Sequence, residues 1–533
     1  MVHTRDEVIR VMTENYLNSL NMANLPAPDV IQENILATVE TALKMENAMR
    51  DKGDKFRIPH ELLPAQIAMI LVRLYPIVKI ACMGVSGSED YDLLAIYQES
   101  GPDEGIYVSD EKTINNLIRV YNFTASQRTC EETIAILNDI APRVTRCMDR
   151  NLIAVNNGIF DYDAKQLLPF SKDKVFIAKS RVNYNPNATN PVITEPDGHQ
   201  WDIESWMEEL FDDPQLTQLA WEILGAIIRP NVPWYKSAWF YANTGNNGKG
   251  TLCELMRQIC GEGTYTSIPL ADMGKDFALE PLTRATAIIV DENDVGTFVD
   301  KAANLKAIIT NDVIQINRKF KTAIAYKFHG FMVQCLNEMP RIKDKSDSFY
   351  RRQLFVPFNK SFTGHEKKYI KNDFLHRKDI LEYALYRVLN MNYYQLSEPD
   401  ACKEALDEYK QFNDPIRQFV DEILPLCVWD LLPFSFLYDL YKAWFKKTSP
   451  NGSIQGRNTF IEDIIATIKD NDTWYCVKSS AKIRTGNRMN EPEPLIETYD
   501  LVDWMNPTYI KSTNVSMKCR PFVNESYRGL LRR

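Results

Sequence analysis

The sequence predicts an α/β protein whose core is a phosphate-binding loop, with helical and mixed α/β segments before it and a helical, strand-edged unit after it. Three observations carry this prediction. The apolar run Ser237-Ala-Trp-Phe-Tyr241 leads into the small-residue turn Asn243-Thr-Gly-Asn-Asn-Gly-Lys-Gly-Thr251, and Leu252, Leu255, Met256 and Ile259 then recur at helical spacing. A second apolar run, Ala287-Ile-Ile-Val290, ends in Asp291-Glu292. A third, Phe331-Met-Val-Gln-Cys-Leu336, ends in Asn337.

Strand, small-residue turn, lysine and helix form the context that a phosphate loop requires. Gly245, Asn246, Asn247, Gly248, Lys249, Gly250, Thr251 and Leu252 are the expected nucleotide-binding residues. Their backbone N–H groups can close around phosphate oxygens, the helix N-terminus adds positive potential, and Lys249 can reach the terminal phosphates. Gly261 is placed to end the helix. The loop departs from the usual pattern twice: Asn243 replaces the first glycine, and Gly250 stands where a Ser or Thr usually holds magnesium. Thr251 is the expected substitute hydroxyl and, with Asp291, the expected magnesium ligand.

Along the chain, residues 1–76 read as a helical domain, with Ile31, Ile35, Val39 and Leu43 on one face. Residues 77–195 read as a mixed α/β domain of short β-like runs such as Leu93-Leu-Ala-Ile-Tyr97 and Val175-Phe-Ile-Ala178. The Pro- and Asn-rich stretch Tyr184 to Pro191 marks its boundary. A helical collar is expected over 196–232, the nucleotide-binding domain over 233–412, and a last domain over 413–533. That last domain reads as helix, helix, helix, hairpin, with a basic wing from Lys478 to Arg488. The order is that of a winged helix, a fold used for duplex DNA and for protein contacts alike.

Composition bounds the function. With 533 residues, 45% hydrophobic and 25% charged, the chain fits three or four domains. A net charge of −9 opposes a uniformly basic nucleic-acid coat but leaves room for a local basic channel. The longest apolar run, Ile67 to Val72, is cut by Arg73, so no membrane span is expected. The start is charged and lacks the apolar stretch of a signal peptide. Ten scattered cysteines, without a Cys-x-x-Cys pair, read as buried thiols of a reducing cytoplasm.

The chemistry rests on partners of the loop. Asp291 and Glu292, at a strand end, suit magnesium coordination and polarisation of an attacking water; an acidic loop is the plainer reading. Asn337 can sense a terminal phosphate, although an Asn at a strand end is most often a turn former. Arg351 and Arg352, just ahead of the apolar run Leu354-Phe-Val356, can cross a subunit interface as an arginine finger or be a solvated basic pair. Between the carboxylates and Asn337, the stretch Lys306 to Lys327 is basic. Lys306, Arg318, Lys319, Phe320 and Lys321 are its expected DNA-binding residues, with a solvated hairpin as the alternative. Asp90-Tyr-Asp92 has the spacing of a polymerase metal pair but lacks a third carboxylate strand, and reads as a turn.

Motifs in this order resemble those of the superfamily 3 helicases, a hexameric AAA+ class. Asn156-Asn-Gly-Ile-Phe-Asp161, Val182 to Ala188 and Leu437 to Trp444 extend the resemblance to poxvirus-type and phage or plasmid primase-helicases. The arrangement is most similar to self-loading replicative (Rep or Cch type) helicases of bacterial, especially staphylococcal, mobile elements. The resemblance implies an AAA+ core, ATP and Mg2+, and ATP-driven translocation on single-stranded DNA through a homo-hexamer. It also implies origin binding and a place in the bacterial cytoplasm. Three rivals stay open: a P-loop kinase, an AAA+ protein remodeller, and an initiator whose ATPase only controls assembly.

Overall fold

The computed structural model describes residues 4–81, 92–299, 302–319, 321–448, 454–469 and 471–533. The chain divides into two compact units, 1–403 and 404–533. Among the described residues no helix is long and apolar enough to cross a membrane.

The first unit opens with helices Arg5–Ser19, Pro28–Ala48 and Pro64–Leu74. Ile31, Ile35, Val39 and Leu43 are all buried, as the helical spacing predicts. Two further helices, Glu111–Tyr121 and Gln127–Ile140, complete this core within the stretch expected to be β-like. Their signal was present: Ile114, Ile118 and Tyr121 follow the helical period, and the side chains of Asp110 and Ser126 cap the two N-termini. Leu93–Tyr97 is a strand, paired antiparallel with Ile77–Ile80. Val175–Ala178 is not. It is held by single backbone bonds, from Tyr107 N to Phe176 O (2.8 Å) and from Cys147 N to Val175 O (2.9 Å), rather than by a ladder. Asp90 lies outside the described residues. Asp92 is buried and receives a bidentate pair of hydrogen bonds from Arg143 (2.6 and 3.1 Å), an arrangement that ties strand ends together.

The core of this unit is a five-stranded parallel sheet. We label its strands β1 (Ser237–Tyr241), β2 (Tyr265–Thr266), β3 (Ala287–Val290), β4 (Phe331–Leu336) and β5 (Gln353–Pro357). The spatial order is β2-β3-β4-β1-β5. β3 and β4 are buried at every position, which is the reason they read as unbroken apolar runs. Because all five strands are parallel, the loops after β1, β3 and β4 leave from one edge of the sheet. Helix α1 (Lys249–Cys260) packs on the sheet through Leu252, Leu255, Met256 and Ile259, all fully buried, and ends at Gly261 with φ 85°. The apolar core around this sheet is continuous from Ile153 to Cys402 and includes the helices Ile203–Glu209 and Pro214–Ala226.

The second unit packs helices Pro415–Ile423, Phe434–Thr448 and Arg457–Thr467 around Phe419, Leu437, Tyr441 and Phe460. The expected local hairpin is replaced by a long-range sheet. Trp474–Tyr475 pairs with Gly529–Arg532, which also pairs with Leu431–Pro433, and Ile483–Arg484 pairs with Ser526–Tyr527. Sequence reasoning placed the partner of Trp474 nearby because periodicity carries no information about which distant strand supplies it.

One backbone contact fixes the junction of β3 and β4. A Cβ at Gly330 would lie 2.2 Å from Thr286 O and 2.5 Å from the Phe328 ring. Gly330→Ala is expected to destabilise the first unit by about 1–3 kcal/mol, the usual cost of overpacking. Gly53→Ala, which would meet nothing within 4 Å, should leave the unfolding midpoint unchanged in the same thermal melt.

Candidate active site

The site is assembled where the loops after β1, β3 and β4 meet the N-terminus of α1. Asn246 (φ 53°) and Gly248 (φ 85°) both take left-handed backbone, which curls the loop into a concave nest of backbone N–H groups. Phe362 N donates to Asn246 O (2.7 Å) and Asn246 Nδ2 to Glu366 Oε1 (2.9 Å), so the segment after β5 clamps the loop. Within the loop, Asn247 is buried and its amide donates to Thr244 O. Tyr241 donates to Asn243 at the position where the first glycine was expected. A cavity of about 540 Å³ opens beside it, walled by Trp206, Leu210, Phe362 and Ile370 and floored by Gly248 and Thr251. A concave, largely apolar wall beside a nest of N–H groups fits a ring carrying a phosphate chain.

Lys249 is 5% exposed, and its Nζ donates to Asn337 Oδ1 at 3.0 Å. Burial pulls its pKa down, with Cys335, Cys253 and Asp291 acting in the opposite sense. A Cβ at Gly250 would stand 2.8 Å from Asp291 Oδ1, so the Asp291 carboxylate lies directly against this turn of the helix. Position 250 therefore faces Asp291, and both Gly250 and Thr251 line the cavity. Asp291 also faces Arg257 (3.5 Å) and Lys371 (3.9 Å). Burial opposes the Arg257 charge, but Asp291, Cys253 and Glu254 outweigh it and the pKa is raised. Glu292 is exposed at the same edge.

Sequence reasoning missed the residues that hold these groups in place. Asn293 is buried; it accepts from Leu270 N (2.9 Å) and donates to Gln334 Oε1 (2.9 Å) and Cys335 O (3.0 Å). Gln334 in turn donates to Ile268 O (3.1 Å). This amide relay locks the Asp291 loop onto β4. A lone Gln inside the run Phe331 to Leu336 was the available signal, since a polar side chain buried on both faces needs a partner.

The two arginines separate. Arg352 donates to Ser348 O and, at 2.6 Å, to Ser348 Oγ, whereas Arg351 is exposed. Both lie at the sheet edge opposite the loop, because Ser237 N, at the start of β1, donates to Arg352 O (2.9 Å). The length of β1, about 16 Å at ~3.3 Å per residue, separates them from the loop of the same chain.

The basic insert is a helix plus a hairpin. Lys306 sits on the helix Ala303–Ile309, half-buried, and is paired with Asp344 (2.5 Å). The hairpin pairs Val313–Arg318 with Lys321–Lys327, burying Ile314, Ile316, Ile324 and Tyr326 on one face. Lys319 is exposed at its turn and Arg318 half-buried; Phe320 lies outside the described residues, and Lys321 opens the second strand. Asn317 ties the hairpin to Asp276 (2.9 Å), whose neighbour Phe277 is half-exposed at φ 64°.

Comparison with known proteins gives three segment matches. Residues 71–229 match the family described as D5 N terminal like, 411–504 the family described as Poxvirus D5 protein-like, and 240–352 a family of unknown function, DUF5906. The chain thus carries D5-type segments on both sides of its parallel-sheet core. No curated protein matches it. Among solved structures, "The A form apo structure of NrS-1 C terminal region-CTR" is similar at 14% identity and a TM-score of 0.41, over 85% of this chain and 93% of that one. "The apo structure of NrS-1 C terminal region (305-718)" is similar at 13% identity and a TM-score of 0.39, over 79% and 98%.

Asn293→Ala should leave Leu270 N and Gln334 Oε1 without their partner, at about 1–3 kcal/mol for each buried group left unpaired. The expected result is a lower unfolding midpoint than wild type, read by thermal melting.

Proposed function

We propose that this protein is an ATP-driven DNA helicase or initiator of replication, with an AAA+ core, acting on single-stranded DNA as a homo-hexamer. The observation that carries the reading is the convergence of Lys249, Asn337 and Asp291 around the first turn of α1. The D5-type segments on either side support a replication role.

In this reading the loop from Gly245 to Leu252 and Lys249 hold the phosphates of ATP, and the cavity under Trp206 and Phe362 takes the base. Bound Mg2+ would supply charge neutralisation on the phosphates, with Asp291 and the Thr251 hydroxyl as its protein ligands. Glu292, exposed at the same edge, orients and deprotonates the attacking water. Asn337, now bonded to Lys249, exchanges that bond for one to the terminal phosphate or the water, and so reports its presence to β4. Arg351 is assigned as the finger: it is exposed, whereas Arg352 is held by Ser348, and its distance from its own loop supports action on a neighbour's nucleotide. Arg318, Lys319 and Lys321 at the hairpin turn are assigned to the strand backbone.

The C-terminal unit is assigned as a winged-helix-like module for duplex origin DNA. Arg457, Asn458 and Thr459 are exposed at the start of its third helix, while Phe460 and Ile464 are buried.

Lys249→Ala should abolish ATP turnover, whereas Glu292→Gln should bind ATP and hydrolyse it slowly; near-normal phosphate release by both sinks the assignment. Arg351→Ala should lose about 10³–10⁵ in turnover, the usual worth of a finger. Mixing it with Lys249→Ala should restore part of the activity through composite interfaces, and co-assembled but inactive mixtures would rule out action in trans.

Lys319→Ala with Lys321→Ala should remove stimulation of ATP turnover by single-stranded DNA and spare the basal rate. The slope of log affinity against log salt should fall by about 1.4, at ~0.7 per single-strand phosphate contact. An unchanged slope, measured by fluorescence anisotropy, moves the strand contact elsewhere.

A further inference from the structure

Beneath the Lys249–Asn337 pair lies a second contact that the proposed chemistry does not use. Cys253, on the next turn of α1, and Cys335, on β4, place their Sγ atoms 3.3 Å apart, and both are buried. The Asp291 carboxylate completes the group: one ligand atom from each of the three residues lies within 4.8 Å of the others. Gly250 and Cys253 are three residues apart on α1 and so share a face, and the missing side chain at 250 lets Asp291 approach. We propose that Cys253, Cys335 and Asp291 form a site for a soft or borderline divalent cation, of the zinc class, and that its occupancy switches off hydrolysis by withdrawing Asp291 from magnesium.

The donor set decides the metal class. Two thiolates and one carboxylate select zinc or cadmium over magnesium, which takes oxygen ligands and keeps its waters. In a tetrahedral zinc site with ~2.3 Å Zn–S bonds the two sulfurs stand about 3.8 Å apart, so the thiols need separate by only about half an ångström. The fourth position is left to water on the side where Asp291 is partly exposed. Binding balances as one divalent cation replacing two thiol protons and taking the Asp291 carboxylate as its third anionic ligand. The resulting net charge of −1 faces Arg257, 3.5 Å from Asp291, and the ammonium of Lys249, which feels all three ligands. Without such cations a buried anionic centre would be costly.

Metal binding stands on this geometry alone; only its inhibitory effect rests on the ATPase reading above. The test uses the full chain, kept reduced by a phosphine and titrated with Cd2+, whose thiolate charge-transfer absorption reports the ligands directly. Wild type should take up Cd2+ with a thiolate band that Cys253→Ala and Cys335→Val each diminish, circular dichroism confirming that both variants fold. In excess Mg2+, Zn2+ should lower wild-type ATP turnover by about tenfold or more, reversibly by chelator, as expected when a metal-holding carboxylate is withdrawn. Both variants should keep their turnover in the same Zn2+. A band equal in wild type and both variants overturns the site. A band that depends on both cysteines, with turnover unaffected by Zn2+, overturns the switch. Absence of any ATP turnover would count against the ATPase reading while the band still reports on the site.

Discussion

The register of α1 against β4 is the constraint on which the rest of the site depends. Lys249 meets Asn337 and Cys253 meets Cys335, so four residues of helix are matched to two residues of strand. The match works because four helical residues advance about 6.0 Å and two strand residues about 6.6 Å. The two rungs therefore stack without strain, one polar at the solvent edge and one sulfur-based in the core. A slip of β4 by one residue would turn both Asn337 and Cys335 away from the helix. Burial of β4 between β3 and β1, with every strand position inside, makes such a slip prohibitive.

That register also sets the electrostatics. A lysine buried this deeply loses solvation and needs compensation, which an amide oxygen supplies only in part. The Asp291 carboxylate adds to it, and itself faces Arg257 and Lys371 on its outer side. The carboxylate is thus suspended among three cations, in a position where a ligand of either sign can redirect it. The amide relay through Asn293 and Gln334 keeps the supporting loop fixed, so that the freedom is confined to the side chain.

Much of this core was legible in the sequence, and for definite reasons. Ser237–Tyr241, Ala287–Val290 and Phe331–Leu336 announce themselves because strands buried on both faces must be apolar throughout. The helix after Gly248 is announced by its buried face and its glycine stop. Less was legible where partners are distant or signals mixed. The helices at Glu111–Tyr121 and Gln127–Ile140 carry only three buried positions each among polar residues, and they sat between genuine short strands. The ion pair of Lys306 with Asp344 was not legible, since no local rule links residues 38 positions apart. The thiol pair was invisible because its members come from separate elements, and only the fold reveals that Cys253 and Cys335 are neighbours.

The sheet of the C-terminal unit has a consequence for how that unit is made. Its middle strand, Gly529–Arg532, pairs with Leu431–Pro433 on one side and Trp474–Tyr475 on the other. The helices between these strands can collapse early through local contacts, yet the sheet closes only when chain about a hundred residues downstream of Leu431 has emerged. Until then the two outer strands expose unpaired edges beside a cluster that includes Trp429, Phe436 and Trp474. During synthesis the parallel-sheet core also waits for distant partners, since the partners of β1 are β4 and β5, but in the C-terminal unit the waiting edges border a tryptophan-rich cluster, and chaperones should engage it at that stage.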